Sequence, residues 1–200
     1  MQKILLGGVF ALASVVIVGI FFIYGYVARL VRNVIAGNPL PLPSWDDLSE
    51  YFSEGARLFA VSLIYGAPMV VLCFSFIFPM IAMENSGSDA VRQMSGLMVT
   101  CVWCLIFPLS LALAVWLPAA LMMAVVDRKF SSGFEFGRIW TFLRANAGNY
   151  VLAFVVWLIA RFIAGFGIAL FCIGIVFTIF WSLLVGAYAF AQTYRLSSVK

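Results

Sequence analysis

Histidine is absent from this 200-residue chain, and charged residues make up only 10% of it. The first absence removes the commonest general base, proton shuttle and transition-metal ligand. The second excludes an ordinary soluble domain, in which about a quarter of residues are charged and cover the surface. A formal net charge of +4 is too small and too dispersed for a nucleic-acid binder, whose affinity rests on clustered cations. Disorder and collagen-like structure are excluded by the same shortage of polar residues. What the chain has instead is 65% hydrophobic residues and a mean hydropathy of +1.12. It reads as an all-α integral membrane protein.

Cysteine is scarce as well. Cys73, Cys101, Cys104 and Cys172 all lie inside apolar runs, which speaks against an extracellular disulfide framework. Cys101 and Cys104 have redox-motif spacing, but their neighbours Val102, Trp103 and Leu105 offer nothing to lower a thiol pKa. They read as two small apolar residues on one helix face.

Four apolar stretches give five spans of the ~20 residues a hydrocarbon core requires. The expected spans cover about residues 4–28, 58–83, 95–126, 150–168 and 172–194 of a single helical bundle over 1–200. The third is too short for two crossings, and Pro108 and Pro118 predict a kink or a broken end within it. The last stretch is long enough for a hairpin that turns between Gly165 and Gly174. Five spans place the N-terminus and the 84–94 loop on one side, with Lys3 and Arg92. Arg29, Arg32, Arg57, Arg128, Lys129, Arg138, Arg144, Arg195 and Lys200 fall on the other. The richer side is expected in the cytoplasm, with the N-terminus outside and the C-terminus inside. Tyr24, Tyr26, Tyr51, Tyr150, Tyr188 and Tyr194 fall near the same interface, where an amphipathic ring is favoured.

The two long cytoplasmic loops are expected to carry amphipathic interfacial helices. In the first, the alternating prolines of Asn38-Pro39-Leu40-Pro41-Leu42-Pro43 predict an extended spacer. Ser44 then reads as a helix N-cap with Asp47 as its capping-box partner. Trp45, Leu48, Phe52 and Phe59 recur at helical spacing, with Tyr51 and Ala56 alongside. Asp46, Asp47, Glu50 and Glu54 occupy the remainder and read as a solvated face rather than a metal site. In the second loop Phe136, Ile139 or Trp140, and Leu143 form the apolar stripe, with Arg138 and Arg144 set to meet lipid phosphates.

Chemistry needs converging polar groups. A glycine-rich phosphate loop, a nucleophile elbow and paired carboxylates at membrane depth are all missing, so no catalytic, cofactor-binding or metal-binding residue is expected. Arg161 is the one charged residue clearly inside an apolar run. It either pairs with Glu84 or Asp89 or snorkels to the outer interface. Gly174, Thr178, Ser182 and Gly186 recur every fourth residue and form a small-residue stripe for close helix packing. Gly7, Ala11 and Ser14 repeat the pattern more weakly.

A further set of residues carries a resemblance. Lys3-Ile4-Leu5-Leu6-Gly7-Gly8, Gly25-Tyr26, Arg29, Arg32-Asn33, Gly37, Leu42-Pro43 and Trp45-Asp46-Asp47 lead into Phe52-x-x-Gly55 and Tyr65-x-x-Pro68. Phe134-x-Phe136, Asn149-Tyr150, Cys172-x-Gly174 and Gln192-x-Tyr194-Arg195 follow. Together they resemble the family called domain of unknown function 4013, which implies a helical membrane protein of a bacterial or archaeal cytoplasmic membrane. The family pattern places an aromatic and charged stretch before the first span, where only Met1, Gln2 and Lys3 stand here, so the chain is expected to begin late. It also often places a histidine in the last span, about where Tyr188 stands here. The chain is therefore expected to be a non-enzymatic protein without cofactors, partnered by the lipid bilayer and by other membrane proteins or further copies of itself. The alternative is a small-solute transporter or a membrane subunit of a transport system, with Ser62, Ser75, Thr100, Ser110, Thr178, Ser182 and Arg161 around a midplane site.

Overall fold

The computed structural model describes residues 18–84, 89–169 and 174–198. The start of the first apolar run, Gly7, Ala11, Ser14, Ser88, Cys172 and Lys200 lie outside the described residues. Among the described residues six α-helices follow one another: α1 (Val18–Ile35), α2 (Leu48–Glu84), α3 (Asp89–Asp127), α4 (Phe136–Ala145), α5 (Ala147–Gly165) and α6 (Gly174–Ser198). Short 3-10 turns at Ser131–Phe134 and Phe166–Ala169 precede α4 and follow α5. Among the described residues there is no strand. All of these helices but α4 are long and apolar enough to cross a membrane.

Several boundaries differ from the expected ones. α1 continues to Ile35, past the expected end at residue 28, because Leu30, Val31 and Val34 are buried and hold the helix together beyond the apolar run. It stops in a Schellman motif. Asn38 N–H donates to Asn33 O at 3.0 Å and Gly37 N–H to Val34 O at 3.0 Å, with Gly37 supplying the left-handed φ of +77°. α2 starts at Leu48 and runs unbroken to Glu84, so the expected interfacial helix and the second span are one helix. α3 is also continuous through Pro108 and Pro118, one helix where one span was expected. Backbone groups freed by proline can be re-satisfied within a membrane helix by local adjustment.

The chain forms two compact units, one built from the residues up to Val61 and from Pro118 onwards, the other from Ser62–Leu117. In the first, α5 and α6 pack as a hairpin and α6 also packs on α1. Its core includes Tyr26, Leu30, Tyr51, Met123, Ile139 and Phe180. The second consists of the apolar portions of α2 and α3, where Trp116 Nε1–H donates to the Tyr65 hydroxyl at 3.3 Å. Phe74, Trp103 and Phe107 of this unit are exposed, as are Cys101 and Cys104, which are free thiols.

Candidate functional site

The densest polar structure lies where α1 ends and α2 begins. Residues 38–47 form an extended strap pinned from both helices. The Tyr26 hydroxyl donates to Pro43 O at 3.1 Å, Asn33 Nδ2 to Pro41 O at 2.9 Å, and the Tyr51 hydroxyl to Ser44 O. These carbonyls have no helix partner, so the side chains satisfy acceptors that would otherwise be costly to bury. Trp45 stacks on Tyr26 with ring centroids 4.3 Å apart and planes 17° apart. Phe180 of α6 approaches both rings, at 5.9 Å and 6.4 Å. Each such aromatic pair contributes about 0.5–1.5 kcal/mol beyond its buried area.

This arrangement corrects the expected cap. Ser44 is not the helix N-cap, because its carbonyl is held by Tyr51 and its neighbour Trp45 is drawn onto Tyr26. The first helical bond instead runs from Tyr51 N–H to Asp47 O at 3.1 Å.

Two close approaches set the α1–α2 crossing. A Cβ on Gly25 would lie 2.0 Å from Tyr51 O, and one on Gly55 would lie 1.6 Å from Phe21 O. Only glycine admits backbone at that distance. The crossing aligns Arg29 with Glu50 and Asp47, the latter at 3.6 Å, and Arg32 with Glu54 at 2.6 Å. The Arg32 and Glu54 side chains retain only 17% and 9% of their exposure, whereas the Arg29 cluster is partly solvated. Three of the four acids read as a solvated face are thus partners of arginines on the preceding helix. The inward face of α2 is Tyr51, Glu54, Gly55 and Leu58, while Leu48 and Phe52 of the expected apolar stripe are exposed. Among the described residues no three acids or cysteines come together as a metal site.

A second set of contacts organises the α3–α4 connection. Arg138 holds both carboxylate oxygens of Asp127, Oδ1 at 3.2 Å, and reaches Glu135 Oε2 at 3.4 Å. The Asp127 hydrogen bond keeps the guanidinium well above its ordinary pKa. Arg138 is therefore committed to protein carboxylates rather than free for lipid phosphate. Arg144 stands over the Trp140 ring at 4.6 Å. On α4 the buried residues are Ile139 and Phe142, with Phe136 and Trp140 facing outward. A shallow depression of about 410 Å³ lies beside it, with Arg138, Thr141, Tyr194 and Ser197 around Met123 and Phe142. Thr141 bonds Gly137 O at 2.8 Å and Ser197 bonds Tyr194 O at 2.6 Å. These hydroxyls are turned to backbone rather than toward a reactive centre.

Arg161, on α5, is exposed, and its guanidinium lies 5.8 Å from the centre of the Trp157 ring. Trp157 also fills the space beside Gly186, where a Cβ would come 2.2 Å from Trp157 Cδ1. Toward the other end of the stripe Thr178 Oγ1 donates to Ala164 O at 2.8 Å, and a Cβ on Gly167 would lie 2.2 Å from Thr178 Oγ1. Ser182 is fully buried between them. Gly186 and Thr178 thus face α5 and the 3-10 turn after it.

The family described as protein of unknown function (DUF4013) matches residues 9–173. The chain belongs to the DUF4013 family. No curated protein and no solved structure matches it. Most of the residues that carry the DUF4013 resemblance in the first loop have a structural duty in this site. Gly25 and Gly55 permit the crossing, Tyr26, Asn33 and Trp45 hold the strap, Arg29, Arg32 and Asp47 form the ion pairs, and Gly37 ends α1. The DUF4013 match stops before Gly174, so Gln192, Tyr194 and Arg195 lie beyond it. Sequence reasoning missed the pairing of Arg29 and Arg32 with Glu50 and Glu54. Its signal was present as two bases three apart on one helix and two acids four apart on the next, both at one interface.

Proposed function

We propose that this DUF4013 protein is a non-enzymatic, multi-pass protein of a bacterial or archaeal cytoplasmic membrane that acts by associating with lipid and with other membrane proteins. Its charged end faces the cytoplasm, with the N-terminus outside and the C-terminus inside, following the excess of arginine and lysine there. α4 lies at the interface, presenting Trp140 and Phe136 outward. Arg161 snorkels to the outer interface with its guanidinium over the Trp157 ring.

The observation that carries this reading is the behaviour of the hydroxyls inside the spans. Ser75 bonds Val71 O, Thr100 bonds Gly96 O, Ser110 bonds Phe107 O and Ser182 bonds Ile179 O, all at 2.7–3.0 Å within their own helices. Thr178 also donates to backbone carbonyls. A transport path for a polar solute needs such groups turned toward the solute. Here Ser75, Thr100, Ser110 and Ser182 back-bond to their own turns instead, and Thr178 is taken up by carbonyls of its own turn and of α5. Affinity purification of the full chain from a mild detergent, followed by mass spectrometry, tests the reading. Stoichiometric co-purification of defined membrane proteins or lipids is expected. Saturable uptake of a polar solute into vesicles holding the purified chain alone would contradict it.

A further inference from the structure

Among the described residues, Arg57, Arg128 and Lys129 make no direct salt bridge, although the Lys129 charge is felt by Asp127 and helps lower its pKa. Arg57 on α2 donates through Nη1 to Arg128 O at 2.5 Å, which brings its guanidinium to the C-terminal end of α3. Arg128 leaves that helix in the left-handed region, at φ 54°, and Lys129 and Phe130 follow it, all three exposed. Among the described residues, the carboxylates near this point are spoken for. Both oxygens of Asp127 are on Arg138, and Glu54 is on Arg32. Ala28, Arg32, Glu54, Arg57 and Arg128 border a small void of about 10 Å³ at this point. Three positive charges are therefore gathered at the end of a membrane-length helix, with the Phe130 ring beside them and Phe134 5.1 Å from it.

Guanidinium groups suit phosphate because they offer several fixed donors. A cluster of bases near an anionic membrane surface gains affinity with each added charge. An exposed aromatic next to such a cluster is favoured where headgroups meet acyl chains, and a soluble anion would gain nothing from it. We propose that Arg57, Arg128 and Lys129 form a docking site for the phosphate of an anionic phospholipid headgroup, with Phe130 set into the adjoining acyl boundary. The site rests on the reading that these helices cross a membrane, and it replaces Arg138 as the place where this end of the protein meets lipid phosphate.

The test uses the full chain, purified in a neutral mild detergent and titrated with fluorescent phosphatidylglycerol or phosphatidylcholine. Tighter binding of phosphatidylglycerol is expected. The double variant Arg128→Gln/Lys129→Gln changes only exposed side chains and should weaken that binding by about 25-fold, at about fivefold per cation, with phosphatidylcholine unaffected. Arg57→Lys should retain most of the affinity, and Arg144→Gln all of it. Equal binding of the two lipids, or full retention by the double variant, would overturn the site. Orthophosphate binding as tightly as the lipid would show a free-phosphate site and overturn the lipid assignment. Carbonate extraction from phosphatidylcholine vesicles separates the two levels. A chain that resists extraction yet shows no lipid preference loses only this site, whereas one that is extracted loses the membrane reading as well.

Discussion

Glu54 and Arg32 show how charge can hold helices together at the end of an apolar bundle. Each arrives on a helix whose surrounding residues are buried, and neither keeps much contact with water. A pair of this kind stabilises only while both members are present, since removing one strands the other in a poorly solvated site at about 3–5 kcal/mol. Glu54→Gln and Arg32→Gln should each lower thermal stability in detergent substantially. The double variant Arg32→Met/Glu54→Leu should recover most of the loss, because it leaves no buried charge. Additive losses in the double variant would mean that the two residues are not coupled. The more exposed cluster of Arg29 with Asp47 and Glu50 is worth far less, about 0–1 kcal/mol for each such pair. Composition could not distinguish these acids from a solvated face, because their partners lie on the preceding helix, 21 positions from Glu50 and 22 from Glu54. Arg138 was misread for the same reason, with Asp127 eleven positions distant.

At the level of elements, the α1–α2 crossing depends on two glycines that meet backbone rather than side chain. A methyl group at Gly25 cannot be accommodated by a rotamer change, so the helices must separate or slide. Gly25→Ala should destabilise the protein by about 1–3 kcal/mol or more, as overpacking does. Gly66, also helical, has nothing within 4 Å of a Cβ, and Gly66→Ala should leave the melting temperature in detergent unchanged or raised. Equal effects of the two substitutions would show that the crossing is looser than the structure places it. Hydropathy located the helices but not their ends. It falls where Arg29 and Arg32 begin, yet α1 runs on to Ile35, because tertiary burial of Val31 and Val34 continues there. Likewise the alternating prolines marked a segment that is not helical, while the first helical bond accepts at Asp47 rather than at Ser44. The competition that decides it is between a helix turn and the stack of Trp45 on Tyr26, which involves residues no local pattern connects.

For the molecule as a whole, the chain's apolar runs made the number of membrane-length helices readable, since length and hydrophobicity are local properties. The same is true of the last apolar stretch, in which α5 ends at Gly165 and α6 begins at Gly174. The partnerships at the charged end were not readable, and these decide which cations remain available to lipid. In the proposed topology five crossings leave this charged end in the cytoplasm. Single cysteines at Ser88 and Ser131 test it most directly, in a background with Cys73, Cys101, Cys104 and Cys172 replaced. Ser131 is exposed, unlike its neighbour Ser132, which is 2% exposed and would label poorly whatever its side. In intact cells a membrane-impermeant thiol reagent should modify the cysteine at 88 at once and the one at 131 only after the membrane is opened. Modification of both from the same side would contradict the crossing by α3 between them, and modification of 131 alone in intact cells would reverse the orientation.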